Sequence, residues 1–433
     1  MARGADPAEC RPGPGSAVQA DPPTPAEGPV EPAVSVLIPC WNAERSIEAA
    51  IASVLSEVGA PVDCVVVDDG STDGTVAVVN AIAARDPRVV LVESPVNAGV
   101  SAARNRGLRA VRGEWLTFLD ADDVLLPGWL QALHGTAVAT DALAVVGQRV
   151  WTDGVQTWIS PHYDRPDVRR PGRKSLAANP GLLYYASATG KLINRSCWEG
   201  LEFEGRILGD QPWTIRALLR AGDRIEVVSD TIYQWNRPRP GSDATSITAA
   251  KRSSARTAAA AVLVAVGAVR QVADEAERVI ADPVVRLALV GAYVERLVSS
   301  DFTGPVVRSV ALRDDGAAEL LAAIAAFLRA APQDAVGSMR PVLIGLALPP
   351  LLYWWKVPGD ARTSAMDVVT AGAGAAAAAR SAGLTGIGWR ILGGIATVRR
   401  SRARVVADVA LVTLSLLAAL PLLALNRRLH ASG

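Results

Sequence analysis

FLDADDVLLPGWL, residues 118–130, is the stretch on which the reading of this chain turns. It sets three carboxylates, Asp120, Asp122 and Asp123, directly behind the apolar run Trp115 to Leu119. A short apolar run bounded by turn-type residues reads as a buried strand. The carboxylates are therefore expected to emerge together at its C-terminal end, where open α/β sheets bind their ligands. Acidic side chains leaving a strand in this pattern can hold a hard divalent cation through oxygen, and such a cation neutralises a departing diphosphate. The same residues also fit a plainer role, because Asp ahead of Val-Leu-Leu-Pro-Gly-Trp-Leu would cap a helix.

Upstream, the chain alternates strand and helix. VSVLIP, Val34 to Pro39, is a compact apolar strand followed by Cys-Trp-Asn-Ala-Glu and a helix with Ile47, Ile51, Val54 and Leu55 on one face. The next strand, Cys64 to Val67, ends in Asp68 and Asp69 with a Gly-Ser-Thr turn, and Asp73 is placed to cap a second helix. Arg88 to Glu93 reads as a third strand, and NAGVSAARNRGLRAVRG as a loop becoming a helix that carries Arg104, Asn105 and Arg109. With the acidic strand this makes β-α-β-α-β-α-β, which implies a mostly parallel sheet covered by helices on both faces. Trp41 and Asn42, Asp68 and Asp69, and Asp120 and Asp122 then share one sheet edge. Such convergence points to a ligand lying across that edge. Asp68-Asp69-Gly-Ser taken alone also fits a simple turn.

Downstream the pattern loosens. Ala142 to Val150 reads as a strand and His162 to Lys174 as a mobile surface loop. Asp210 stands just ahead of an apolar-periodic helix, Pro212 to Leu219, where an N-cap role is also open. RIEVVSDTIYQWN gives one or two strands. After it, Trp235 with Arg237 and Arg239 fits either a solvated loop or a contact for acceptor or phosphate. From Ala249 the chain turns Ala-rich and helical, and two apolar blocks follow, Pro341 to Trp355 and Val405 to Leu425. The second has about the length of a membrane span and basic flanks, Arg399, Arg400, Arg402, Arg404, Arg427 and Arg428, while Asp408 and Pro421 favour a buried bundle helix. The first is shorter and broken by Pro349-Pro350, so an interfacial or re-entrant segment fits it as well as a span. The expected divisions are a disordered leader (1–32), an α/β domain (33–248), a helical region (249–340) and hydrophobic C-terminal helices (341–433) that associate with a membrane.

Composition narrows the partners. Among 433 residues, 44 basic side chains face 43 acidic ones, so no global field draws nucleic acid to the chain. The leader is rich in Pro, Gly and Ala and has no apolar block long enough for a secretory signal, so the α/β half is expected to stay in the cytosol. Cys10, Cys40, Cys64 and Cys197 lack metal-site spacing, and Cys40 and Cys64 fall in expected buried strands as reduced thiols. His134 and His162 have no partners at ligand spacing and are assigned no metal role.

Residues 33 to 245 resemble the family 2 glycosyltransferases, inverting enzymes of the GT-A fold that use nucleotide-diphosphate sugars. The resemblance rests on VSVLIPCWNAE, VVVDDGSTDGT, NAGVSAARNRGL and FLDADDVLLP in that order. It implies a Rossmann-like, mostly parallel α/β sheet with a helical C-terminal region. Pro39, Trp41 and Glu44 would line the base and ribose pocket, and Asp69 would accept a hydrogen bond from the base, commonly uracil. Arg104 would brace the pocket or the acidic loop. Asp120 would lie near the ribose or the metal and Asp122 on the metal, magnesium or manganese, with Asp123 a second ligand or a helix cap. Asp210 would be the general base, although Gly209 stands where the family often has another acid. Implied partners are a nucleotide-sugar donor and a glycan, lipid-linked or polyol-phosphate acceptor. The implied location is the cytoplasmic face of the cell membrane, with a soluble cytoplasmic protein as second choice. Gly209 also prompts a rival, a catalytically silent nucleotide-binding or scaffolding protein. A nucleotidyltransferase is weaker, because the first strand leads into no Gly-rich phosphate loop.

Overall fold

A computed structural model of the chain describes residues 31–159, 165–205, 208–236, 254–302, 305 and 316–331. The leader through residue 30, Cys10, His162, Arg237, Arg239 and both C-terminal apolar blocks lie outside the described residues.

The alternating series is present. It runs β1 (Val34–Cys40), α1 (Ile47–Leu55), β2 (Val62–Asp68), α2 (Thr75–Ala83), β3 (Val89–Glu93), α3 (Val100–Leu108) and β4 (Trp115–Phe118). Every residue of β1 and β2 is buried, because each strand is covered on both sides. Val34, Val36 and Ile38 pack with Ile47, Ile51 and Val54 of α1, while Leu37, Val65 and Val67 turn to the opposite face with Ala103 of α3. The period of two along each strand thus divides one apolar run between two cores.

The remaining strands are β5 (Val124–Leu125), β6 (Ala144–Thr152), β7 (Thr157–Trp158), β8 (Gly172–Lys174), β9 (Lys191–Asn194) and β10 (Ile225–Asn236). The sheet order is β3-β2-β1-β4-β9-β6-β10-β5, with β7 paired to β6 and β8 to β10. The first four strands are parallel, β9 runs antiparallel between β4 and β6, and β6 and β10 pair in parallel. The chain leaves β1 toward β2 on one side and β4 on the other, so the switch point of this doubly wound sheet lies at the C-terminal end of β1.

Several sequence expectations shift in detail. β1 continues through Pro39 to Cys40. The acidic segment enters the short strand β5 rather than a helix, so Asp123 caps nothing. A π-helical turn (Gln131–Gly135) follows and runs into α4 (Thr136–Thr140). Short helices α5 (Pro166–Arg169) and α6 (Arg195–Trp198) precede α7 (Asp210–Ala221). Helix α7 begins at Asp210 itself, and Gly209 takes the cap position. Cys40, Cys64 and Cys197 are free and buried, and burial pushes each thiol's pKa up.

The helical region comprises α8 (Ala255–Val279), α9 (Pro283–Arg296) and α10 (Ala317–Ala330). Ser254 starts α8 by accepting a hydrogen bond from the Thr257 amide at 3.2 Å. Ala258, Val262, Ala265, Val269, Val272 and Ala276 recur at three- and four-residue spacing and form the buried stripe of α8. That stripe shares one core with Trp213, Ala217 and Leu218 of α7 and with Leu321 and Ile324 of α10. By length and composition α8 could cross a membrane, yet 39% of its most apolar window is buried inside the protein.

Glu275 fastens α8 to α7. Its side chain is 2% exposed and accepts from Arg220 Nε at 2.9 Å and Arg216 Nε at 3.4 Å. Burial alone would raise its carboxyl, but the hydrogen bonds and charges of Arg220 and Arg216 outweigh it and hold the pKa below the usual range. Glu275→Gln should lower stability by about 2 kcal/mol in urea unfolding, because both guanidinium groups lose their counter-charge. A group whose folded pKa is lowered stabilises above its unfolded value and loses that contribution as pH falls, so the gap between wild type and variant should close on acidification.

Candidate functional site

Three loops meet at the switch point. Asp69 N donates to the Cys40 carbonyl at 2.9 Å, so β1 and β2 end level, while β4 ends opposite Leu37 and Leu119 N donates to the Leu37 carbonyl at 3.1 Å, which carries the acidic segment on beside the end of β1. Asn42, just beyond β1, adopts a left-handed φ of 50°. Its amide donates to Ser71 Oγ and its Oδ1 accepts from the Thr72 amide, both at 2.8 Å. This stitches the first loop to the second. Glu44 Oε2 accepts from the Gly74 amide at 3.1 Å, and Asp73 accepts from the Thr75 and Glu44 amides. Trp41 is 52% exposed beside this seam, while Pro39 is buried within β1.

The paired acids of the second loop have divided tasks. Asp68 Oδ2 accepts from the Gly70 and Ser71 amides and closes the turn. Asp69 is buried and accepts from the Ala98 amide at 3.1 Å and the Gly99 amide at 2.7 Å, tying the second loop to the start of α3. Gly70 has a φ of +75°, and a Cβ there would stand 2.7 Å from the Val96 carbonyl carbon, so the approach of these loops requires glycine.

The acidic segment is gripped from two sides. Arg104 on α3 donates to Asp120 Oδ1 at 3.1 Å, with its guanidinium over the rings of Phe118 and Phe203. On the other side, Tyr233 of β10 donates its hydroxyl to Asp123 Oδ2 at 2.6 Å and accepts from the Asp120 amide at 3.2 Å. Asn236 donates its amide to Asp123 Oδ1 and its side-chain nitrogen to the Asp122 carbonyl, each at 2.8 Å. Asp123 is therefore a buried anchor turned into the sheet, and desolvation together with Asp120 and Asp122 raises its pKa. Asp122 reaches solvent, yet enough protein surrounds it that desolvation, with Asp120 beside it, pushes its carboxyl up to about 6.

Asp210 occupies the first turn of α7, half-buried, and its carboxylate accepts no hydrogen bond among the described residues. Its charge acts on Lys191, a fully buried lysine of β9. The Lys191 ammonium donates to the Ser187 carbonyl at 2.8 Å and lies over the Tyr185 ring. Desolvation and the nearby Arg149 guanidinium lower the Lys191 pKa, and Asp210 partly offsets them. Gly209 touches α3: a Cβ there would meet Ser101 Oγ at 2.6 Å and the Glu204 carbonyl oxygen at 2.7 Å. One turn along α3, Arg104 grips Asp120 and Asn105 exchanges two hydrogen bonds with the Phe203 backbone. Helix α3 is thus the physical link between the start of α7 and the acidic segment.

The family described as Glycosyl transferase family 2 matches residues 35–200, which contain the three loops and the acidic segment. The chain carries a family 2 glycosyltransferase domain. The glycosyltransferase domain is 40% identical over 121 residues to the succinoglycan biosynthesis protein ExoO of Rhizobium meliloti, covering 27% of this chain and 34% of that protein. It is 34% identical over 223 residues to the uncharacterized glycosyltransferase EpsJ of Bacillus subtilis, covering 49% of this chain and 62% of that one. The first relatives matched are spanned over 38%, 32% and 34% of their own lengths. The crystal structure of S. aureus TarS 1–349 superposes with a TM-score of 0.58 at 19% identity, over 78% of this chain and 91% of that one. That likeness establishes the shared GT-A fold.

Sequence reading did not find Tyr233, Asn236, Arg149 or Lys191. They stand in stretches legible only as strands, and their partners are more than a hundred residues away for Tyr233 and Asn236. Asp69→Asn should set an amide N–H against a backbone N–H at Ala98 or Gly99, at a cost of about 1 to 3 kcal/mol. Thermal unfolding together with faster hydrogen exchange at those two amides would register it; unchanged exchange would remove Asp69 as the anchor of that loop.

Proposed function

We propose that the chain is an inverting glycosyltransferase that moves a sugar from a nucleotide-diphosphate donor, a uridine one, to a hydroxyl acceptor in the synthesis of a cell-surface polysaccharide, glycolipid or teichoic-acid-like polymer. The observation that supports this reading is that Trp41, Asp69, Asp120 and Asp122 stand on the loops that follow β1, β2 and β4, beside the switch point of a sheet that matches the family 2 model. The names of relatives support it. One is a succinoglycan biosynthesis protein, and TarS of S. aureus has been crystallised with UDP-GlcNAc.

In this reading Trp41 offers its face to the base. Asp69 keeps about two of a carboxylate's four lone-pair sites for a base N–H after its two amide bonds. Asp122 and the outer oxygen of Asp120 would hold magnesium or manganese, with Asp123 facing away. Among the described residues no group of three or more His, Cys, Asp or Glu side chains is arranged as a metal cage. Two carboxylates fit a magnesium-type site that substrate phosphates complete. Burial, with Asp120 beside it, raises the Asp122 pKa, and a cation held by the two carboxylates would offset their charge. When bound there, the ion offsets the charge left on the leaving diphosphate.

Arg104 keeps Asp120 in place and spares it repulsion from its neighbours. Asp210, with no hydrogen bond among the described residues to satisfy it, takes the proton from the acceptor hydroxyl as that oxygen attacks the anomeric carbon opposite the diphosphate. One displacement gives one inversion. Gly209 does not argue for a silent relative, since close packing against Ser101 and the Glu204 carbonyl gives a steric reason for a residue without a side chain. The apolar block Val405 to Leu425 has the length to hold the chain at the cytoplasmic face of the membrane.

A panel of nucleotide sugars incubated with manganese and mixed acceptors tests the reading by product detection. Asp122→Ala should abolish turnover, and turnover that survives it would defeat the assignment. Because cation binding needs the ionised carboxylate, donor affinity in the wild type should fall as pH drops through about 6. Asp210→Asn should lower kcat by about a hundredfold or more while leaving donor binding intact in calorimetry.

A further inference from the structure

Three tryptophans stand in one row beyond the acidic segment. Trp151 of β6 is paired in register with Trp158 of β7 on one side and with Trp235 of β10 on the other. Directly paired residues project from the same face of a sheet, so the indoles are neighbours by construction. The Trp151 ring lies 6.4 Å from that of Trp158 at 77°, and 4.9 Å from that of Trp235 at 87°. Two rings therefore stand nearly perpendicular to the one between them, and all three are partly exposed.

We propose that Trp151, Trp158 and Trp235 form a stacking subsite for a sugar ring of the acceptor. The inference deepens the transferase reading and rests on it for the word acceptor. Position supports it. The donor-side groups Trp41 and Asp69 lie at the ends of β1 and β2, whereas the indoles lie on β6, β7 and β10. The acidic segment joins the two sides, because Asn236, next to Trp235, holds Asp122 and Asp123.

Chemistry supports it as well. A pyranose ring has an apolar C–H face, which the flat face of an indole suits. Arg149, two residues before Trp151 and so on the same face of β6, sets its guanidinium over Trp235 at 5.1 Å and donates to Thr189 Oγ1 at 3.1 Å. Strand β7 is two residues long, at the end of a hairpin whose turn exposes Val155 at 72%. A strand that short does not require tryptophan for its own pairing. Trp235 packs in part against the core around Tyr233, and the partly exposed aromatic surface that the row leaves is of the kind that lines ligand-binding grooves.

Saturation-transfer NMR on the full chain tests the subsite. The probes are the methyl glycosides of glucose, galactose, mannose and N-acetylglucosamine, with uridine diphosphate and magnesium as donor-site reference. At least one glycoside should take up saturation through its ring C–H protons, and Trp158→Ala should weaken that signal by roughly fivefold or more. Radical footprinting of the wild type provides a second reading, in which the same glycoside should shield Trp158 from oxidation. No saturation of any glycoside, an unchanged signal in Trp158→Ala, or no shielding would each overturn the subsite. If a glycoside binds through Trp158 while uridine diphosphate fails to bind, the sugar subsite stands and the transferase reading falls.

Discussion

Everything at the site depends on holding three like charges together at one strand end. Asp120, Asp122 and Asp123 repel one another, and the fold answers with separate partners for two of them. Arg104 reaches Asp120 from α3, and the Tyr233 hydroxyl and the Asn236 amide take both oxygens of Asp123. Asp122 is left without a side-chain partner for its carboxylate among the described residues and has its pKa pushed up to about 6. Asp122 is exposed and Asp120 partly so, and in the proposed reading a cation held by the two would offset their charge.

The clamp also explains how remote parts of the chain are kept in register. Arg104 and Asn105 are consecutive on α3; one secures the acidic segment and the other the backbone at Phe203. Phe203 stacks on Trp213 of α7 at 4.6 Å and meets Phe118 of β4 edge-on. Moving α7 would therefore disturb the rings beneath Arg104 and, through Arg104, the setting of Asp120. The helical region lies outside this circuit and supports it from behind, since α8 shares the core of α7 and locks to it through Glu275.

On its far side the acidic segment runs into β5, which pairs with β10 and so comes beside the row of tryptophans. The same two residues of β10, Tyr233 and Asn236, fix the carboxylates and bracket Trp235. The proposed donor and acceptor regions are thus tied to opposite flanks of one rigid segment. Such a layout limits the error with which two substrates can be brought together.

The β-α-β-α-β-α-β series was legible in the sequence because it is written locally. Strands buried on both faces appear as short runs dominated by Val, Ile and Leu, such as Val36 to Ile38 and Val65 to Val67, and the turn residues between them give their limits. The convergence of Asp69, Asp120 and Asp122 followed from the same pattern, since parallel strands joined by helices must end on one edge. What the sequence could not reveal is which carboxylate faces which way. Asp120, Asp122 and Asp123 are chemically alike and adjacent, and only the arrival of β10, more than a hundred residues later, turns Asp123 inward and leaves Asp122 outward. The meaning of Gly209 was hidden for the same reason: it depends on the closeness of Ser101 and Glu204, a steric fact of packing that no spacing along the chain records.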